Sequence, residues 1–393
     1  MKLPTQRQLL LPLLTVLREN GDMHARDACA AVADRLGLDR EAREATGTMT
    51  DGQRVNLFNR RVRWTRQNAV LSELVSDDTR GLWRLTATGE KTDLIARPGV
   101  VVTVYASPEG CLLWSEARSA LNYIEDGAVT AVITSPPYPL VRSRDYDKGM
   151  PEWGPSKYLD TLIDHIQAIR PKLADDGTFV LNLGPAFLPG QPCRNPYQHR
   201  LLAALVDRLG WHLVDEHTWI SPCKPRTAPQ VTKTRTHCYN AVEQVYLLSP
   251  TGRTKCSNLR VLNPYHPRHQ RLIARGGQVV NVLSPSAIKT PGRRFTADNG
   301  GCIPSNVHTI APERDDAYRA FCCANRLDPH PAMMPIKLAE FFVSLTTEPG
   351  DLVVDPFGGS GKVAAAAWRL DRRFLTSERR LDYLCGAVSR FTS

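Results

Sequence analysis

The chain has 393 residues, of which 42% are hydrophobic and 23% charged, as expected for a soluble globular protein of two or three domains. Its 50 lysines and arginines outnumber its 40 aspartates and glutamates, and the net charge of +10 suggests a polyanionic partner. The N-terminal apolar run at residues 9–17 is too short to span a bilayer, and the ten cysteines show no C-x-x-C pair and no Cys/His metal spacing. We therefore expect a cytoplasmic protein with reduced thiols and no metal, and we exclude membrane-spanning and disulfide-stabilised classes.

Residues 1–97 are predicted to form a separate small domain. Helices at 5–18 and 24–36 precede a long helix at 53–75, and residues 76–85 are predicted to form a hairpin. Helices followed by a basic helix and a hairpin are typical of a winged-helix domain.

The long helix is predicted to have one apolar stripe and a basic remainder. The expected buried stripe consists of Val55, Phe58, Val62, Ala69 and Leu71. The polar residues expected to contact DNA on its other faces are Asn59, Arg60, Arg63 and Arg66. Arginine contacts both phosphates and base edges, which favours a DNA-binding role. The alternative is a solvated face on a dimerisation or docking module.

Three segments of this domain resemble a known family. They are Leu11-Pro12-Leu13-Leu14, Asn59-Arg60-Arg61-Val62-Arg63-Trp64 and Gly81-Leu82-Trp83-Arg84-Leu85. Together they resemble the N-terminal winged-helix domain of Mrr-type restriction proteins, which implies a DNA-binding module. An Mrr-like nuclease would need a P-D…(D/E)-x-K cluster, and the sequence has none in a suitable place. The segment 92–100 is the expected linker to the rest of the chain.

Residues 131–138 predict a buried strand with a rigid exit. The β-branched run at 131–134 is typical of a parallel strand, and Pro136 and Pro137 end it because proline lacks a backbone N–H. Ser135 and Tyr138 are thereby placed at the carboxyl end of the strand, where ligands bind in open α/β sheets. Alone, the four-residue pattern S-P-P-Y is also compatible with an ordinary turn.

A strand, a glycine-rich turn and a helix follow far downstream. The strand at 352–355 leads into Asp355-Pro356-Phe357-Gly358-Gly359-Ser360-Gly361 and then a helix at 362–370. Glycines let the backbone approach a ligand closely, and a helix N-terminus favours an anionic group. The next strand, at 373–378, ends in Glu378, a carboxylate able to accept hydrogen bonds from both hydroxyls of a ribose.

The two motifs together resemble those of the β group of DNA amino-methyltransferases. The resemblance implies an α/β, Rossmann-like methyltransferase domain at residues 98–393, with a mostly parallel sheet and one antiparallel edge hairpin. It implies double-stranded DNA as substrate and S-adenosylmethionine as cofactor. The implied catalytic residues are Ser135, Pro136, Pro137 and Tyr138. The implied cofactor residues are Thr134, Asp355, Pro356, Phe357, Gly358, Gly359, Ser360, Gly361 and Glu378.

Four further positions match the family less closely. Glu116 follows a serine where the family has Gly-Asp, and its implied role is to help bind the adenine of the cofactor. His330 and Pro331 begin H-P-A-M-M-P where the family has H-P-A-x-F-P, beside the methionine end of the cofactor. Lys362 replaces the usual Thr of the cofactor loop. The loop from 222 to 240 resembles the K-P-N-P loop that flanks the target base.

Between the two motifs the sequence predicts alternating elements and then an irregular insert. Helices are expected at 156–173 and 197–209, a strand at 177–183, and the hairpin strands at 211–220 and 243–248. The insert at about 251–329 has twelve basic and five acidic residues, a surplus of seven positive charges. Its position implies a target-recognition region with Arg293 and Arg294 as DNA contacts, and a disordered basic loop is the alternative.

The chemistry of the motif favours methylation of a base amine. Such an amine is a poor nucleophile because its lone pair is conjugated into the ring. The Ser135 hydroxyl and the Pro136 carbonyl can accept its two N–H groups, and Tyr138 can stack on a flipped base, which is worth roughly 1–3 kcal/mol. Serine heads the tetrapeptide in most N4-cytosine members, so we expect N4-methylcytosine as product, with N6-methyladenine as the alternative.

Rival classes fit less well. A cytosine-C5 methyltransferase needs Pro-Cys directly after a catalytic strand, and neither Pro192-Cys193 nor Pro222-Cys223 stands there. A P-loop ATPase would need Gly where Pro356 stands and Ser or Thr where Val363 stands. A non-catalytic winged-helix regulator leaves both motifs unexplained. A cognate restriction endonuclease as partner and a dimeric state remain open expectations, and no membrane association is expected.

Overall fold

The computed structural model describes residues 3–4, 9–49, 52–90, 95–139, 157–188, 190–224, 226, 228–276, 298–325 and 327–391. None of the described helices is both long enough and apolar enough to cross a membrane. Within the same ranges, no group of three or more His, Cys, Asp or Glu side chains is placed to hold a metal ion.

The N-terminal part is a bundle of helices with short strands. Its elements are α1 (Leu10–Asn20), β1 (Met23–His24), α2 (Ala25–Arg35), α3 (Arg40–Glu44), β2 (Thr46–Thr48), β3 (Arg54–Asn56), α4 (Leu57–Leu71) and β4 (Leu82–Trp83). The Asn56 side chain caps α4 by accepting from the Asn59 N–H at 2.8 Å. Phe58, Val62 and Ala69 of the predicted stripe are buried. Leu71 is 76% exposed, so its predicted burial is wrong, because it lies on the outer face of the last turn.

The predicted hairpin at 76–85 forms only in part. Val75 and Leu85 make an isolated antiparallel bridge, and the Ser76 N–H donates to the Arg84 carbonyl at 2.8 Å. β4 then pairs with β1 instead of with the preceding arm of the hairpin. Burial of Trp83 explains why β4 pairs with β1. In this pairing Trp83 lies in the helical core and is only 5% exposed.

The rest of the chain folds around one large sheet. Its strands are β5 (Val101–Ala106), β6 (Gly110–Ser115), β7 (Val129–Thr134), β8 (Leu173–Leu183), β11 (His212–Ile220), β12 (Val242–Ser249), β13 (Val307–Thr309), β14 (Leu352–Asp355) and β15 (Arg373–Glu378). A separate two-stranded pair consists of β9 (Ala186–Phe187) and β10 (Arg194–Asn195). The helices are α5 (Ala117–Leu121), α6 (Tyr158–Ile169), α7 (Tyr197–Ala203), α8 (Pro229–Thr232), α9 (Pro267–Ala274), α10 (Asp316–Ala324), α11 (Ile336–Thr346), α12 (Lys362–Arg369) and α13 (Leu381–Ala387).

The sheet has the order β13-β11-β12-β8-β7-β14-β15-β6-β5. The central strands β8, β7, β14, β15 and β6 are parallel, and the predicted antiparallel hairpin is present as β11 and β12. Two features differ from the prediction of a single antiparallel edge hairpin. β5 adds an antiparallel strand at the opposite edge, and β13 from the insert pairs in parallel outside β11.

Alternating side chains of β7 connect the sheet to helices on both faces. Ala131 and Ile133 belong to the core that includes α11 and α12, whereas Val132 belongs to the core that includes α6 and α7. A strand buried on both faces is a continuous apolar run, as residues 131–133 are. This packing fixes β7 and therefore the position at which the S-P-P-Y segment leaves the sheet.

The described residues of the expected linker, 95–100, are part of the methyltransferase fold. The Ala96 N–H donates to the Arg379 carbonyl at 2.8 Å, and Ile95 forms a bridge with Arg380. Apolar residues of α1 and α2 belong to the same hydrophobic cluster as those of α12 and α13. A cavity of about 890 Å³ remains at this junction, and its described lining contains none of the predicted catalytic or cofactor residues. The boundary at residue 97 stays a prediction.

The insert is partly built into the methyltransferase domain. Lys255 forms an ion pair with Asp351 at 2.9 Å, and Arg260 forms one with Glu348 at 3.1 Å. Tyr318 and Cys322 of α10 form a buried cluster against α13. Some of its predicted positive surplus is therefore neutralised within the protein. The boundaries 251–329 of a target-recognition region stay a prediction, and the middle of that range lies outside the described residues.

A histidine pair holds the insert strand β13 against β11. His217 Nδ1 lies 2.8 Å from His308 Nε2, the two rings are stacked, and both side chains are buried. Burial lowers the pKa of His217, against the opposing effect of Asp215, and burial with the neighbouring His217 lowers the pKa of His308 to about 4. The pair is therefore neutral at pH 7.

This pair predicts a loss of stability in mild acid. Because the unfolded chain protonates His308 near its ordinary pKa of about 6.5 and the folded chain does so only near 4, stability falls as pH decreases between these values. We expect His308→Asn to remove about 1–2 kcal/mol of that pH-dependent loss, after allowance for solvent screening. Urea unfolding followed by circular dichroism at pH 7 and pH 4.5 checks this, and equal pH-dependent losses in both proteins would contradict it.

Candidate active site

The S-P-P-Y segment leaves the carboxyl end of β7 and lines a pocket together with the cofactor elements. Thr134, the last residue of β7, is buried, and Pro136 and Pro137 carry the chain away from the sheet. Nine of the predicted site residues line the pocket: Glu116, Ser135, Pro136, Pro137, Tyr138, His330, Pro356, Phe357 and Glu378. It is also lined by Ala117, His165, Ala332, Arg379 and Tyr383, which were not predicted. The pocket unites the ends of β7, β14, β15 and β6, as expected for parallel strands.

The glycine-rich turn after β14 requires glycine at particular positions. Gly359 and Gly361 have φ values of +50° and +72°, a region that other residues rarely adopt. A Cβ on Gly358 would lie 2.0 Å from Thr376 Cγ2, so no side chain fits between the turn and β15. The Gly358 N–H donates to the Ser377 carbonyl at 2.8 Å, and Ser377 Oγ donates to the Pro356 carbonyl at 3.0 Å. These contacts hold the turn against β15.

Asp355 begins the turn as a buried acid tied to the catalytic strand. Thr134 Oγ1 donates to Asp355 Oδ1 at 2.6 Å, and the Phe357 N–H donates to the same oxygen at 3.1 Å. Burial raises the pKa of Asp355 to about 7, although these hydrogen bonds act in the opposite direction. A buried carboxylate with one oxygen still available suits a cationic group such as the α-ammonium of an amino-acid moiety. The predicted placement of Thr134 beside the cofactor loop therefore has a physical basis.

Glu378 is held at the end of β15 by two backbone donors. The Gly359 N–H donates to Oε2 and the Arg380 N–H donates to Oε1, both at 2.8 Å. Burial raises the pKa of Glu378, while these donors favour its charged form. Each oxygen keeps a further lone pair, so the side chain fits the predicted role as acceptor for two ribose hydroxyls.

Glu116 faces the same pocket from the end of β6. Its carboxylate accepts from the Ser119 N–H at 3.0 Å, which caps α5, and lies 3.0 Å from His165 Nε2. Burial opposes ionisation, but the hydrogen bonds from His165 and Ser119 lower the pKa of Glu116 to about 2. Glu116 is therefore a charged acceptor at the adenine side of the predicted site, and its role there remains a prediction.

His330 covers the glycine turn from the opposite side. Its ring packs against Tyr383 at 4.8 Å between centroids and lies 3.0 Å from the position that a Cβ on Gly359 would occupy. The backbone N–H of His330 donates to Tyr318 Oη at 3.1 Å, which ties the segment to α10. The next residue, Pro331, is exposed and does not line the pocket.

Lys362, the departure from the family pattern, is buried behind the glycine turn. Its ammonium forms ion pairs with Glu313 and with Asp315, at 3.0 Å to Asp315 Oδ2. Arg390 also pairs with Asp315 at 2.6 Å and donates to the Ser360 carbonyl. A cation at the N-terminus of α12 opposes the helix dipole, and the two carboxylates compensate for it. Lys362 thus anchors the insert to the cofactor loop and does not itself line the pocket.

Tyr138 is held by a polar cluster that the sequence did not predict. Its hydroxyl lies 2.6 Å from Glu243 Oε2 and 2.9 Å from Ser135 Oγ. Asn182 and Lys224 complete the cluster, at 3.0 Å and 2.7 Å from the Glu243 carboxylate. The ring of Tyr138 packs against Gly184, where an added Cβ would approach within 2.4 Å. Its predicted stacking on a base stays a prediction.

Comparison with known proteins identifies the family. The DNA methylase family model of the N6/N4 type matches residues 129–388, which is more than half of the chain. The chain belongs to this DNA methylase family. The model of the Mrr N-terminal domain matches residues 7–93, so the predicted resemblance of the first domain is confirmed as well.

Individual relatives agree with this assignment. The type II methyltransferase M.PvuII of Proteus hauseri is 32% identical over 73% of this chain and 85% of its own length. The type II methyltransferase M.SmaI of Serratia marcescens is 24% identical over 71% of this chain and 89% of its own length. The solved structure of the PvuII DNA methyltransferase, described as cytosine-N4-specific, superimposes with a TM-score of 0.58, 26% identity and coverage of 76% and 90%. The predicted fold is confirmed.

As a DNA methylase, the protein uses S-adenosylmethionine, and the residues present fit that cofactor. The glycine turn leaves no space for side chains on its β15 side, Glu378 offers acceptors for a ribose, and Asp355 offers an anion for an ammonium group. S-adenosylmethionine supplies an electrophilic methyl group on a sulfonium. The residue-by-residue assignment remains a prediction.

The structure places the predicted DNA contacts of the first domain on α4. The exposed or half-exposed residues on one face of this helix are Arg60, Arg63, Trp64, Gln67 and Asn68. Asn59, near the N-terminus of α4, is half-buried. Arg66 points elsewhere, because it donates to the Ser76 carbonyl at 2.8 Å and pairs with Asp77 at 2.8 Å, with 13% of its side chain exposed. The predicted contact by Arg66 therefore conflicts with its structural role, and Arg293 and Arg294 lie outside the described residues.

Several residues of the methylase site were not found from the sequence. His165 lies inside an amphipathic helix, and Asn182 and Glu243 lie in strands predicted only from their apolar neighbours. No local spacing links Glu243 to Tyr138, which precedes it by 105 residues. An acid in the strand 242–248, whose residues 245–248 are apolar or aromatic, is the sequence feature that indicates a polar partner.

Proposed function

We propose that the methylase transfers a methyl group from S-adenosylmethionine to the exocyclic N4 of a cytosine that is flipped out of duplex DNA. One observation carries the proposal: Ser135 directly follows β7, beside the glycine turn that follows the neighbouring β14, so both motifs line one pocket. The relative with the printed description cytosine-N4-specific supports the choice of base. This agrees with the prediction made from serine at the head of the tetrapeptide.

The residues of the pocket act by holding the amine. The Ser135 hydroxyl and the Pro136 carbonyl are the acceptors offered to its two N–H groups, which favours a pyramidal nitrogen with its lone pair directed at the donor. Proline at 136 has no N–H that would compete for those acceptors. Because the leaving group belongs to the cofactor, positioning supplies much of the rate, and no covalent bond to the protein is needed.

The base must leave the helix to reach this pocket. Unstacking and unpairing cost a few kcal/mol, and stacking on an aromatic ring offsets roughly 1–3 kcal/mol of that cost. Tyr138 is the aromatic side chain of the tetrapeptide in the pocket, and Lys224 belongs to the loop expected to flank the base. Contacts of Tyr138 and of the Lys224 loop with a flipped cytosine are therefore part of this proposal.

Analysis of the product tests the choice of base. Duplex DNA methylated by the pure protein is hydrolysed, and the nucleosides are resolved by mass spectrometry. We expect N4-methylcytosine. N6-methyladenine as the main product would overturn the proposal for cytosine and leave the family unchanged.

DNA binding is proposed to involve α4 and the insert. We expect Arg60→Gln/Arg63→Gln to weaken binding and to reduce the slope of log affinity against log salt by about 1 for each arginine that contacts a phosphate. Fluorescence anisotropy at several salt concentrations measures this. Arg373→Gln is the matched control, because Arg373 begins β15 at the end of the sheet opposite the pocket. An unchanged slope in the double variant would remove α4 from the interface.

Deletion of the first domain would be a less specific test. Removing residues 1–97 would expose the apolar face of α13 and break the pairing of Ala96 with Arg379. Loss of DNA affinity after deletion would therefore not distinguish lost contacts from lost stability.

A cellular role in restriction and modification belongs to the same proposal. The relatives M.PvuII and M.SmaI are type II methyltransferases, and their names support a host-protective methylation in the bacterial cytoplasm, beside a cognate endonuclease. Digestion of DNA from a host that expresses the protein, with enzymes that methylcytosine blocks, tests this role.

A further inference from the structure

The catalytic serine is one end of a chain of hydrogen bonds that leads away from the pocket. Ser135 Oγ lies 2.9 Å from Tyr138 Oη, which lies 2.6 Å from Glu243 Oε2. Lys224 Nζ donates to the other carboxylate oxygen at 2.7 Å. Asn182 Nδ2 lies 3.1 Å from the phenol oxygen and 3.0 Å from Glu243 Oε2. Glu243 and Asn182 are almost completely buried, so water does not replace these contacts.

The chemistry of these groups fixes the direction of every bond. A carboxylate only accepts, so the single proton of Tyr138 points at Glu243. The phenol oxygen then has only lone pairs left for Ser135, and the serine hydroxyl must donate to it. The Asn182 amide agrees, because its NH₂ group, not its oxygen, must face the carboxylate.

We infer that Glu243 is a positioning residue, which sets the direction of this chain and thereby leaves Ser135 Oγ as an acceptor for the N–H of the target amine. The inference rests on the proposed function. It adds that Glu243, acting through Ser135, makes the site prefer a base with an exocyclic amine. Without the carboxylate, a serine hydroxyl is free to donate or to accept. With it, the proton of Ser135 is committed to Tyr138.

The surrounding groups keep this chain of hydrogen bonds in the direction from Ser135 to Glu243. Burial, the neighbouring Glu243 charge and the hydrogen bond to it raise the pKa of Tyr138 well above its usual value, so the phenol stays protonated. The Lys224 ammonium supplies the charge that compensates the buried carboxylate. Lys224 therefore stabilises the hydrogen-bond chain from outside the pocket. Ser135 Oγ accepts a long contact from Asn182 Nδ2 at 3.4 Å and presents its remaining lone pair inside the pocket.

The direction of the chain has a consequence for base choice. Cytosine carries an amine with two N–H donors at C4, whereas uracil carries a carbonyl oxygen at the same position. An acceptor at Ser135 favours the donor of cytosine, and a donor at Ser135 would favour the oxygen of uracil. Reversing the chain should therefore change binding preference as well as rate.

Glu243→Gln is the variant that reverses it. Lys224 only donates, so the new amide oxygen faces Lys224, and the NH₂ group faces Tyr138 and Asn182, whose amide turns so that its oxygen accepts. The phenol then donates to Ser135, whose own proton is directed at the base. We expect kcat to fall roughly 10- to 100-fold, the range expected for losing one hydrogen bond to a charged group. The affinity for S-adenosylmethionine should stay unchanged.

A binding measurement gives a second readout without turnover. Two duplexes carry the site mapped for the wild-type protein, with either cytosine or uracil at the target position. The ratio of their dissociation constants should shift toward uracil by about 10-fold in Glu243→Gln, as for one reversed hydrogen bond. Comparing two proteins on the same pair of duplexes cancels the effect of the G·U mismatch.

A double-mutant cycle separates direction from structural support. Tyr138→Phe removes the phenol link between Glu243 and Ser135, which is shorter than the contact through Asn182, so adding Glu243→Gln to it should lower kcat little further. Multiplicative losses, or a Glu243→Gln protein with wild-type kcat and an unshifted cytosine/uracil ratio, would overturn the inference. A wild-type protein that makes no N4-methylcytosine would instead overturn the proposed function.

Discussion

Gly359→Leu is expected to abolish measurable binding of S-adenosylmethionine while the protein remains folded. Gly359 has a φ of +50°, and an added Cβ would lie 3.0 Å from the His330 ring. A leucine would therefore displace the turn or the ring, and the N–H that holds Glu378 would move with it. A displacement of about 1 Å in such a site can cost roughly 100-fold, so we expect at least that rise in the dissociation constant. Isothermal titration calorimetry measures it.

Gly350→Leu is the matched control for this substitution. Gly350 also has a positive φ, +85°, but nothing lies within 4 Å of its added Cβ, and it precedes β14 instead of following it. Both variants carry a similar backbone strain of about 1–3 kcal/mol, so thermal denaturation should show comparable destabilisation. Normal cofactor binding by a folded Gly359→Leu protein would remove the glycine turn from the cofactor site.

The two motifs were predictable because each depends on local chemistry. A β-branched run of three residues buried on both faces, followed by two prolines, determines where β7 ends without any distant contact. Glycine at 359 and 361 corresponds to positive φ values that few other residues adopt. Once both strands were recognised as parallel, their carboxyl ends had to meet at one edge of the sheet, so the pocket followed from general geometry.

Features that depend on pairing between distant residues were not predictable. Glu243 and Tyr138 meet only because β12 lies beside β8 and β8 beside β7. β13 has three residues and no apolar pattern of its own, and its place beside β11 depends on the backbone bond from the Thr218 N–H to the Asn306 carbonyl and on the histidine pair. Single-sequence patterns carry no information about such pairs.

Charge counts had a similar limit. The insert does have seven more basic than acidic residues, but Lys255 and Arg260 form ion pairs with Asp351 and Glu348. Likewise Arg66 is basic and lies on the long helix, yet it ties that helix to the following loop. A sequence shows how many charges a segment has, whereas only the fold shows which of them a polyanion can reach.

The missed strand β5 has a different cause. Its sequence, Val101–Ala106, is β-branched and should have indicated a strand. β5 follows directly after a Pro-Gly segment. The prediction of a linker in that segment was extended over the strand, so β5 was not predicted. In the structure the described residues of this segment, 95–100, are bonded to the methyltransferase domain through Ala96 and Arg379.

Ser135→Ala is expected to lower kcat roughly 100-fold or more with little change in cofactor affinity. The substitution removes the side-chain acceptor for one N–H of the target amine, an interaction that strengthens as positive charge develops on the nitrogen. Removal of one such preorganised hydrogen-bonding group typically costs 10²–10³ in rate. Single-turnover methylation with excess protein over labelled DNA measures the chemical step free of product release.

Ser135→Thr provides the matched variant, since it keeps a hydroxyl at the same position. If the hydroxyl acts as the acceptor, threonine should restore most of the rate that alanine loses, and the cofactor dissociation constants of all three proteins should agree. If Ser135 mattered only for packing against Tyr138, threonine would be the more harmful change, because it adds a methyl group beside the Tyr138–Glu243–Asn182 cluster. Equal losses in alanine and threonine, or a loss confined to cofactor affinity, would contradict a role for the hydroxyl in holding the amine.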